Sequence, residues 1–543
     1  MSRGIHRAFV RIGQRFVHYR HAGAGPVLVM LHQSPQNSRM WLEQIEWLAR
    51  DYRVLAPDLP GFGDTDPLAM DQPSIADLSA ACHDWLDALG VEQCAVFGMH
   101  TGGIVAVHMG LDRPDRVGLV LVDGYAIFND DERALLGERY LPPFQPDWSG
   151  QHLRWLWARL REQSFFFPWC EQGAEFALAY PAPDTARTQA AVMDILAVGD
   201  QYRLGYRAAL QFADRSCVAA LSMPSLLFYR EDDVLIGHRE RLPELPTHIL
   251  APRLPDKASL WTAVAEALAG WGGDMPSDQP PAARYGWQRE VMDSACGEIV
   301  SWVWRPDDKV DRVRLVLHGP GQAGERPALD EPEGGLVLIR PDLPGHGASA
   351  DGFDQSSDAG LSLDGMADAL SSLCQTLAGS TALTIEAHAG SAALALALAD
   401  RWPGTIESVV LVQPWLPDVA ERDWLLAHLP DLTPKPAGGH LLEAWQWERE
   451  RHLFPPWKPP LAEHRLPGPA PDVDRVQANT VCLIGLGTRL ASLMRELLPA
   501  DVADRMPGKP YPIQLCFEPA LDDGRLAALQ RRLQPKPEQP IRN

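Results

Sequence analysis

The chain lacks paired cysteines, long apolar runs and an excess of positive charge. Its eight cysteines occur singly, with no Cys-x-x-Cys pair, which favours buried free thiols in a reducing compartment over a disulfide framework. No uncharged apolar stretch reaches about 18 residues. Residues 1–19 alternate basic and apolar side chains, so neither a transmembrane helix nor a signal peptide is predicted. We therefore expect a soluble, cytoplasmic protein.

The charge balance excludes further classes of partner. Lys and Arg number 49 against 71 Asp and Glu, which gives a net charge of −22. Such a field repels nucleic-acid phosphates and anionic lipid surfaces, so neither nucleic acid nor membrane is an expected partner. Metal-binding spacings such as His-Glu-x-x-His do not occur. We expect no metal and no cofactor, and a small molecule as the substrate.

Four segments of the first half recur in the second half at a separation of about 285 residues. A repeat of this length indicates a duplicated domain rather than a solenoid. Short runs rich in Val and Leu, separated by helical segments, are typical of buried parallel strands joined by crossover helices. The matching pairs are residues 28–32 and 315–318, 57–63 and 341–347, 96–103 and 384–391, and 119–122 and 409–412.

The most informative pair is a strand, a sharp turn flanked by small residues, and a helix. It carries His100 at its tip in the first half and His388 at the corresponding place in the second. We expect His100 to superpose on His388. We expect the same of Trp169 and Trp457, which end another repeated segment.

Each half resembles an α/β-hydrolase-fold domain with a helical cap, and the resemblance covers nearly the whole chain. Residues 32–35 resemble the oxyanion loop of that family, residues 98–102 its nucleophile elbow, and residues 229–233 the strand end that bears the triad acid. The resemblance implies an α/β fold with two tandem domains. Each would be a mostly parallel sheet flanked by helices, with a helical cap insertion.

Composition and spacing divide the chain into two domains joined by a linker rich in Gly, Pro, Asp and Ser. The expected boundaries are residues 1–271 with a cap over about 125–222, a linker over 272–284, residues 285–534 with a cap over about 414–478, and a tail over 535–543.

Both halves depart from the resembled family at the residues that react. A Ser-His-acid triad needs a serine whose proton passes to an oriented imidazole. Here His100 occupies the apex, and residues 251–257, where the triad histidine is expected, contain none. The second half is expected to form a strand over 480–484. Residues 485–489, which follow it, lack the acid, and residues 517–523, where the histidine is expected, contain none. Serine-esterase chemistry is therefore unavailable.

An imidazole at the apex offers different chemistry. With a pKa near neutrality, His100 can act as a general base on water or attack an acyl carbon as a nucleophile. Asp233 would orient its ring, and the backbone N–H groups of Thr101 and Gln33 would form an oxyanion hole. The alternative is a relic side chain in a closed cleft, because histidine tolerates the positive φ of a sharp turn.

The second half offers equivalent positions with fewer partners. His318 and Gly319 correspond to the oxyanion loop, His388 and Ala389 to the elbow, and His440 to the expected cap. Because an acid is missing there, we expect a degenerate copy that serves stability, regulation or the shape of the entrance.

Several side chains of the first half are candidates for the pocket or the cap. His152 could point toward His100 or hydrogen-bond within the cap, and Arg161 could pair with a carboxylate there or clamp a substrate. Trp157 and Trp169 are expected to pack the cap onto the sheet. His32 is expected to support the oxyanion loop.

These features favour an α/β-hydrolase-fold enzyme that uses His100 without a cofactor. The predicted substrate is a small apolar ester, lactone, thioester or a compound with a C–C bond next to a ketone. One alternative is a pseudo-hydrolase that binds a ligand or partner without turnover. Another is a lyase or cofactor-free oxygenase in which His100 is the base.

Overall fold

The computed structural model describes residues 4–517 apart from 215, 274–284, 308, 323, 325, 333, 351–360 and 403. The predicted linker over 272–284 falls almost wholly outside the described residues, and the tail over 535–543 does so completely. The chain divides into two compact units, Met1–Gln145 with Trp155–Ala282, and Pro146–Arg154 with Ala283–Asn543. Residues 146–154, predicted to belong to the first domain, therefore group with the second unit.

Strands in both units are short, and several of them are rich in valine, isoleucine and leucine. In the first unit they are β1 His6–Ile12, β2 Arg15–Ala22, β3 Val27–Leu31, β4 Arg53–Pro57, β5 Cys94–Met99, β6 Val117–Asp123, β7 Ser225–Arg230, β8 Ile249–Leu250 and β9 Arg253–Leu254. In the second unit they are β10 Gly286–Ser294, β11 Gly297–Arg305, β12 Arg312–Leu317, β13 Leu336–Pro341, β14 Leu383–His388, β15 Ile406–Val412 and β16 Ile513–Cys516.

Helices connect these strands and fill the long insertions. Those preceding β10 are α1 Leu42–Leu48, α2 Ile75–Ala88, α3 Thr101–Asp112, α4 Asp130–Glu138, α5 Gln151–Glu162, α6 Thr185–Val198, α7 Tyr202–Gln211 and α8 Lys257–Ala269. Those following it are α9 Leu363–Ala378, α10 Ala392–Ala399, α11 Val419–Ala427, α12 Gly439–Arg451, α13 Val473–Leu486 and α14 Leu490–Leu497.

The first sheet has the order β1-β2-β4-β3-β5-β6-β7-β8, with β9 also paired to β7. Strands β1, β2 and β4 pair antiparallel, and the pairings from β4 through β3 to β8 are parallel. All five residues of β3 are buried, because parallel strands covered by helices on both faces lack a solvated side.

The second sheet has the order β10-β11-β13-β12-β14-β15-β16. Its first three strands also pair antiparallel, and the pairings from β13 through β12 to β16 are parallel. Seven strands of each sheet therefore follow the same order and the same directions. In both sheets, the carboxyl ends of the parallel strands share one edge, where binding sites form in open α/β sheets.

Long helical insertions interrupt each sheet at the same place. Helices α4 to α7 lie between β6 and β7, and helices α11 to α14 lie between β15 and β16. The insertion of the second half is longer than the sequence indicates, because its helices run past residue 478.

The strand predicted over 480–484 is wrong. These residues lie within α13, and the strand that pairs with β15 is β16. Residues 485–489 therefore do not follow a strand end. The segment that corresponds to the one bearing Asp233 instead follows β16. Of that segment, only Phe517 belongs to the described residues.

The cysteine prediction holds for seven of the eight thiols, which are buried and unpaired. Cys516 is also unpaired but is exposed at the end of β16. Its predicted burial is therefore wrong.

Candidate active site

A sharp turn joins β5 to α3 and places His100 between them. His100 has φ 46°, in the left-handed region where side chains carry a steric penalty. Close packing explains the glycines around it: a Cβ on Gly98 would collide with the carbonyl of Gly102, and a Cβ on Gly102 with the carbonyl of Leu31. The turn is tight enough that its central side chain must project from the end of the sheet.

The imidazole of His100 reaches the carboxylate of Asp233, three residues after β7. Its Nε2 lies 3.1 Å from Oδ1 and 3.0 Å from Oδ2. Gly124, after β6, makes room for this contact, since a Cβ there would lie 2.7 Å from His100 Cδ2. The His100 side chain is 22% exposed and that of Asp233 is 8% exposed, so one face of the ring remains accessible beside a nearly buried carboxylate.

Buried charges surround this pair. Arg230 Nη2 donates to Asp233 Oδ2 at 3.1 Å, and its Nε donates to Asp123 Oδ1 at 3.0 Å. The Leu235 N–H donates to Asp233 Oδ1 at 2.9 Å. Asp233 therefore accepts hydrogen bonds from His100, Arg230 and the backbone, which fixes its position.

The electrostatics favour an ion pair. Burial opposes the charged imidazolium, but the Asp233 carboxylate outweighs it and holds the pKa of His100 above its ordinary value. For Asp233, burial opposes ionisation, but His100 and the hydrogen-bond donors outweigh it and lower the pKa to about 2. Burial raises the pKa of Asp123, although Arg230 opposes this effect.

The backbone donors proposed for an oxyanion lie around the same turn. Thr101 is the first residue of α3 and is buried, and N–H groups in the first turn of a helix have no partner within that helix. Gln33 follows β3. Its carbonyl accepts the Gln36 N–H, and its Nε2 donates to Gln36 Oε1 at 2.8 Å.

His32 holds this loop in place through both ring nitrogens. Its Nδ1 donates to the Gln33 carbonyl at 3.0 Å, and its Nε2 accepts the Leu59 N–H at 2.8 Å. This pattern requires a neutral ring, and burial lowers its pKa accordingly. His318 repeats the pattern with the Gly319 carbonyl at 2.9 Å and the Leu343 N–H at 2.9 Å.

The elbow of the second half is offset by one residue from its prediction. Ala389 has φ 50°, whereas His388 has φ −101° and is the last residue of β14. The parallel register agrees, because Met99 and His388 both end a strand and pair with the end of the next one. The expected superposition of His100 on His388 is therefore wrong: Ala389 occupies the apex.

Other contacts of the second-half turn differ as well. His388 Nε2 lies 2.9 Å from Glu386 Oε1 on the same strand face. The Gly319 N–H, the expected oxyanion donor, donates to Gln322 Oε1 at 3.0 Å. Ser391 corresponds to Gly102 and donates its hydroxyl to the His318 carbonyl at 2.6 Å.

His440 and His152 share a structural role at the start of a helix. His440 Nδ1 accepts the N–H of Lys435, five residues earlier, at 3.1 Å. His152 Nδ1 accepts the N–H of Asp147, also five residues earlier, at 3.2 Å. His152 Nε2 lies 2.8 Å from Gln477 Oε1, so both of its nitrogens contact groups other than His100.

The remaining candidates lie in the helical insertion. Trp157 is buried, and Trp169 Nε1 donates to the Tyr140 carbonyl at 3.0 Å. Arg161 is half-buried at the end of α5.

Sequence reasoning missed two residues of the site, Arg230 and Gly124. Arg230 could have been found from its place three residues before Asp233, at the end of the same strand. Gly124 could have been found as a glycine directly after the Val/Leu run of β6.

Searches for other kinds of site were negative over the part of the chain that the structure describes. No cluster of three His, Cys, Asp or Glu side chains there could hold a metal ion. None of the helices traced there has the length and hydropathy needed to cross a bilayer.

Comparisons with known proteins give a consistent fold. Residues 26–245 match a family model described as the alpha/beta hydrolase fold. A 2-hydroxy-6-oxo-6-phenylhexa-2,4-dienoate hydrolase from Burkholderia cepacia is 31% identical over 20% of this chain and 39% of its own length. Epoxide hydrolase 3 from Siraitia grosvenorii is 38% identical over 19% of this chain and 33% of its own. The chain thus spans well under half the length of these two relatives.

A solved structure, epoxide hydrolase A from Mycobacterium thermoresistibile, is 19% identical, with a TM-score of 0.39 over 50% of this chain and all of that one. The family-model match and the mostly parallel sheet flanked by helices confirm the predicted fold class: residues 26–245 have the alpha/beta hydrolase fold, and the second sheet repeats the strand order.

Proposed function

We propose that the first half of the chain is a hydrolase in which His100 acts as the general base on water or as the nucleophile. The observation that carries this proposal is an imidazole at the positive-φ apex whose Nε2 lies 3.0 Å from a buried carboxylate. The substrate class is a small, largely apolar ester, lactone, thioester or compound with a C–C bond next to a ketone.

The contact between Nε2 and Asp233 supports a separate role for each nitrogen of the ring. Nε2 carries the ring proton and donates a hydrogen bond to Asp233, so the lone pair of Nδ1 is free to accept a proton. Nδ1 removes a proton from water, and the resulting hydroxide attacks the carbonyl carbon. Asp233 stabilises the imidazolium that forms. The N–H groups of Thr101 and Gln33 receive the negative charge that develops on the carbonyl oxygen. The imidazolium then returns its proton to the leaving group.

The same nitrogen can instead attack the carbonyl carbon and form an acyl-imidazole, which water hydrolyses in a second step. The two routes use the same residues and differ in whether an acyl group is found on His100. Rapid acid quenching followed by mass spectrometry of the intact chain distinguishes them.

The matched relatives support a small organic substrate. They are named as hydrolases of 2-hydroxy-6-oxo-6-phenylhexa-2,4-dienoate and of epoxides, and both names refer to small organic compounds.

The second half is proposed to be a degenerate copy of the first. The shared strand order and the repeated His32 and His318 hydrogen bonds support a tandem duplication. Ala389 offers no reactive atom at the apex, and the Gly319 N–H is already bonded to Gln322. We propose two domains, each with its helical insertion acting as a cap at the carboxyl ends of the strands.

Turnover by the full chain tests the function. A panel of 4-nitrophenyl esters, γ-lactones, thioesters and aryl diketones, assayed with the wild type, His100→Ala and His388→Ala, covers the proposed class. We expect His100→Ala to lower kcat/KM at least about 100-fold, the usual contribution of a general base. His388→Ala, which removes an imidazole outside the turn, is the matched control and is expected to retain activity.

Three outcomes contradict the proposal. Activity of His100→Ala within a few-fold of the wild type assigns the chemistry elsewhere. Binding of panel compounds without any turnover favours the pseudo-hydrolase alternative. Products that lack the oxygen of isotopically labelled water indicate a lyase with His100 as base.

A further inference from the structure

A buried arginine in the helical insertion of the first half has no counter-ion among the residues that the structure describes. Arg159 lies on α5 and is 1% exposed. Its guanidinium carbon is 5.9 Å from the ring centre of Tyr140, 5.4 Å from Trp169 and 5.5 Å from Tyr202. Three aromatic rings therefore surround the charge.

Aromatic faces do not satisfy the hydrogen-bonding groups of this side chain. Nε, Nη1 and Nη2 of Arg159 are all buried without a hydrogen-bond acceptor among the described residues. The hydroxyl of Tyr202, on α7, is buried and unpartnered in the same sense. Burying a charge without an acceptor is costly, and cation–π contacts offset only part of that cost.

Three other buried arginines of this chain pair with carboxylates. Arg230 binds Asp123, Arg116 binds Asp87, and Arg451 binds Glu448. Arg159 differs from these three because no carboxylate among the described residues pairs with it, so its guanidinium is free to bind an acceptor that a ligand supplies.

The carboxylate nearest in sequence to Tyr202 is already engaged. Asp200 Oδ1 accepts the N–H of Phe144 at 2.7 Å and the Nε of Arg203 at 2.6 Å, and Oδ2 pairs with the same Arg203 side chain. The Asp200 carboxylate therefore stabilises the turn between α6 and α7.

The position of α7 connects this arginine to the candidate active site. A Cβ on Gly205 of α7 would lie 2.7 Å from the Phe62 ring, so the helix packs directly on the loop after β4. The Phe62 ring in turn packs edge-on against His32, with ring centres 5.3 Å apart. The helix carrying Tyr202 therefore contacts the loops on the side of the sheet that bears His100.

We propose that Arg159 and Tyr202 form a binding site for the carboxylate of a small aromatic acid. The planar guanidinium matches the two oxygens of a carboxylate, the tyrosine hydroxyl supplies a further donor, and Tyr140 and Trp169 pack against the aromatic body. This binding requires no turnover, so it stands or falls independently of the hydrolase function.

Calorimetric titration of the full chain with phenylacetate tests the site. Phenylacetamide has nearly the same shape without the charge, and inorganic phosphate has charge without the aromatic ring. We expect the wild type to bind phenylacetate at least about tenfold more tightly than phenylacetamide, the preference that one charge-assisted bidentate pair provides. Equal affinity for the two compounds overturns the proposal, and tighter binding of phosphate overturns the choice of a carboxylate.

Variants localise the preference. Arg159→Met is expected to abolish it, Tyr202→Phe to reduce it several-fold, and Arg154→Met to leave it unchanged, because Arg154 is exposed on the same helix. If Arg159→Met does not fold, Arg159→Lys, which keeps the charge without the planar fork, is expected to weaken phenylacetate binding about tenfold. Full preference in either folded Arg159 variant shows that the arginine is only structural.

Discussion

His100 combines two positions that a serine hydrolase keeps apart. It stands at the apex of the turn, where the nucleophile is held, and its ring reaches the acid that would otherwise orient a separate histidine. The contact is possible because Gly124 leaves space along the ring and because Asp233 is fixed by Arg230 and the Leu235 N–H. The proposed mechanism therefore uses a dyad of His100 and Asp233 in place of a triad.

The raised pKa of His100 predicts the acid limb of the pH profile. A base must be unprotonated, so kcat/KM is expected to fall as pH drops through a pKa above about 6.5, the ordinary histidine value. Asp233→Asn removes the carboxylate that raises this pKa, so the limb moves to lower pH while the maximal rate falls. Asp232→Asn, a mostly exposed neighbour that also contacts Arg230, is the control. An acid limb that stays in place in Asp233→Asn contradicts the assignment of His100 as the base.

The same pair predicts a window of stabilisation. Asp233 has a lowered pKa, so its contribution is present above about pH 4 and is lost as pH falls toward 2. His100 has a raised pKa, so its contribution is present below about pH 6.5 and is lost as pH rises through its folded value. The melting temperature of the wild type minus that of Asp233→Asn should peak between those limits, where the pair contributes about 2 kcal/mol. A difference that does not vary with pH contradicts the ion pair.

The one-residue offset at the second elbow shows what residue identity alone can and cannot predict. Matching His100 to His388 aligned the histidines but misaligned the small residues. Gly98 and Gly102 are required by close backbone approach, and their structural counterparts are Ala387 and Ser391. The spacing of the small side chains gives the correct alignment of the two turns. Steric contacts require small residues at those positions, whereas the residue at the apex can change.

The turn after β6 is the element that sets the position of the His100 ring. Gly124 has φ +72°, and a Cβ there would lie 2.9 Å from His100 Nε2. We expect Gly124→Ala to displace the ring from Asp233 and to lower kcat/KM about tenfold or more, since small misplacements of catalytic groups are costly. Gly90→Ala is the matched control, because Gly90 has φ +67° and nothing within 4 Å of its added Cβ.

Both substitutions should destabilise the fold by a similar amount, since both add a side chain in the left-handed region. Only Gly124→Ala should shift the His100 imidazole signals in NMR spectra. Equal effects on activity from the two variants would assign the loss to backbone strain rather than to ring displacement.

The misassigned strand over 480–484 has a physical explanation. A short run of apolar residues is compatible with a buried strand or with one buried stretch of a helix, and only length separates them. Here the run lies within the 14 residues of α13. The strand that completes the second sheet has only four residues, with an alternation too brief to stand out in the sequence.

At the level of the whole chain, the sequence predicted the fold class because Val/Leu runs and Gly-rich turns repeat in order through both halves. It did not predict which residues group into each compact unit, because the membership of residues 146–154 depends on tertiary packing. It also did not single out Arg159, whose burial depends on rings contributed by segments far apart in the sequence.

The exposure of the cysteines gives a test of the whole architecture. Seven thiols are buried and Cys516 alone is exposed. We therefore expect Ellman's reagent to modify one thiol rapidly in the folded chain and the other seven only after unfolding. Cys516→Ser should remove the fast phase. Any fast thiol that remains in that variant would contradict the burial of the other seven.

Ala389 separates two properties that coincide at His100. It keeps the left-handed backbone of the elbow, with φ 50°, yet carries a methyl group that can neither transfer a proton nor form a bond to carbon. The positive φ therefore does not depend on a reactive side chain. Its cause is the route of the chain between a buried strand and the helix behind it. Under the proposed duplication, this turn is the part of the first-half site that the second half keeps. For protein engineering, this turn is a fixed backbone position at which a new reactive side chain can be introduced.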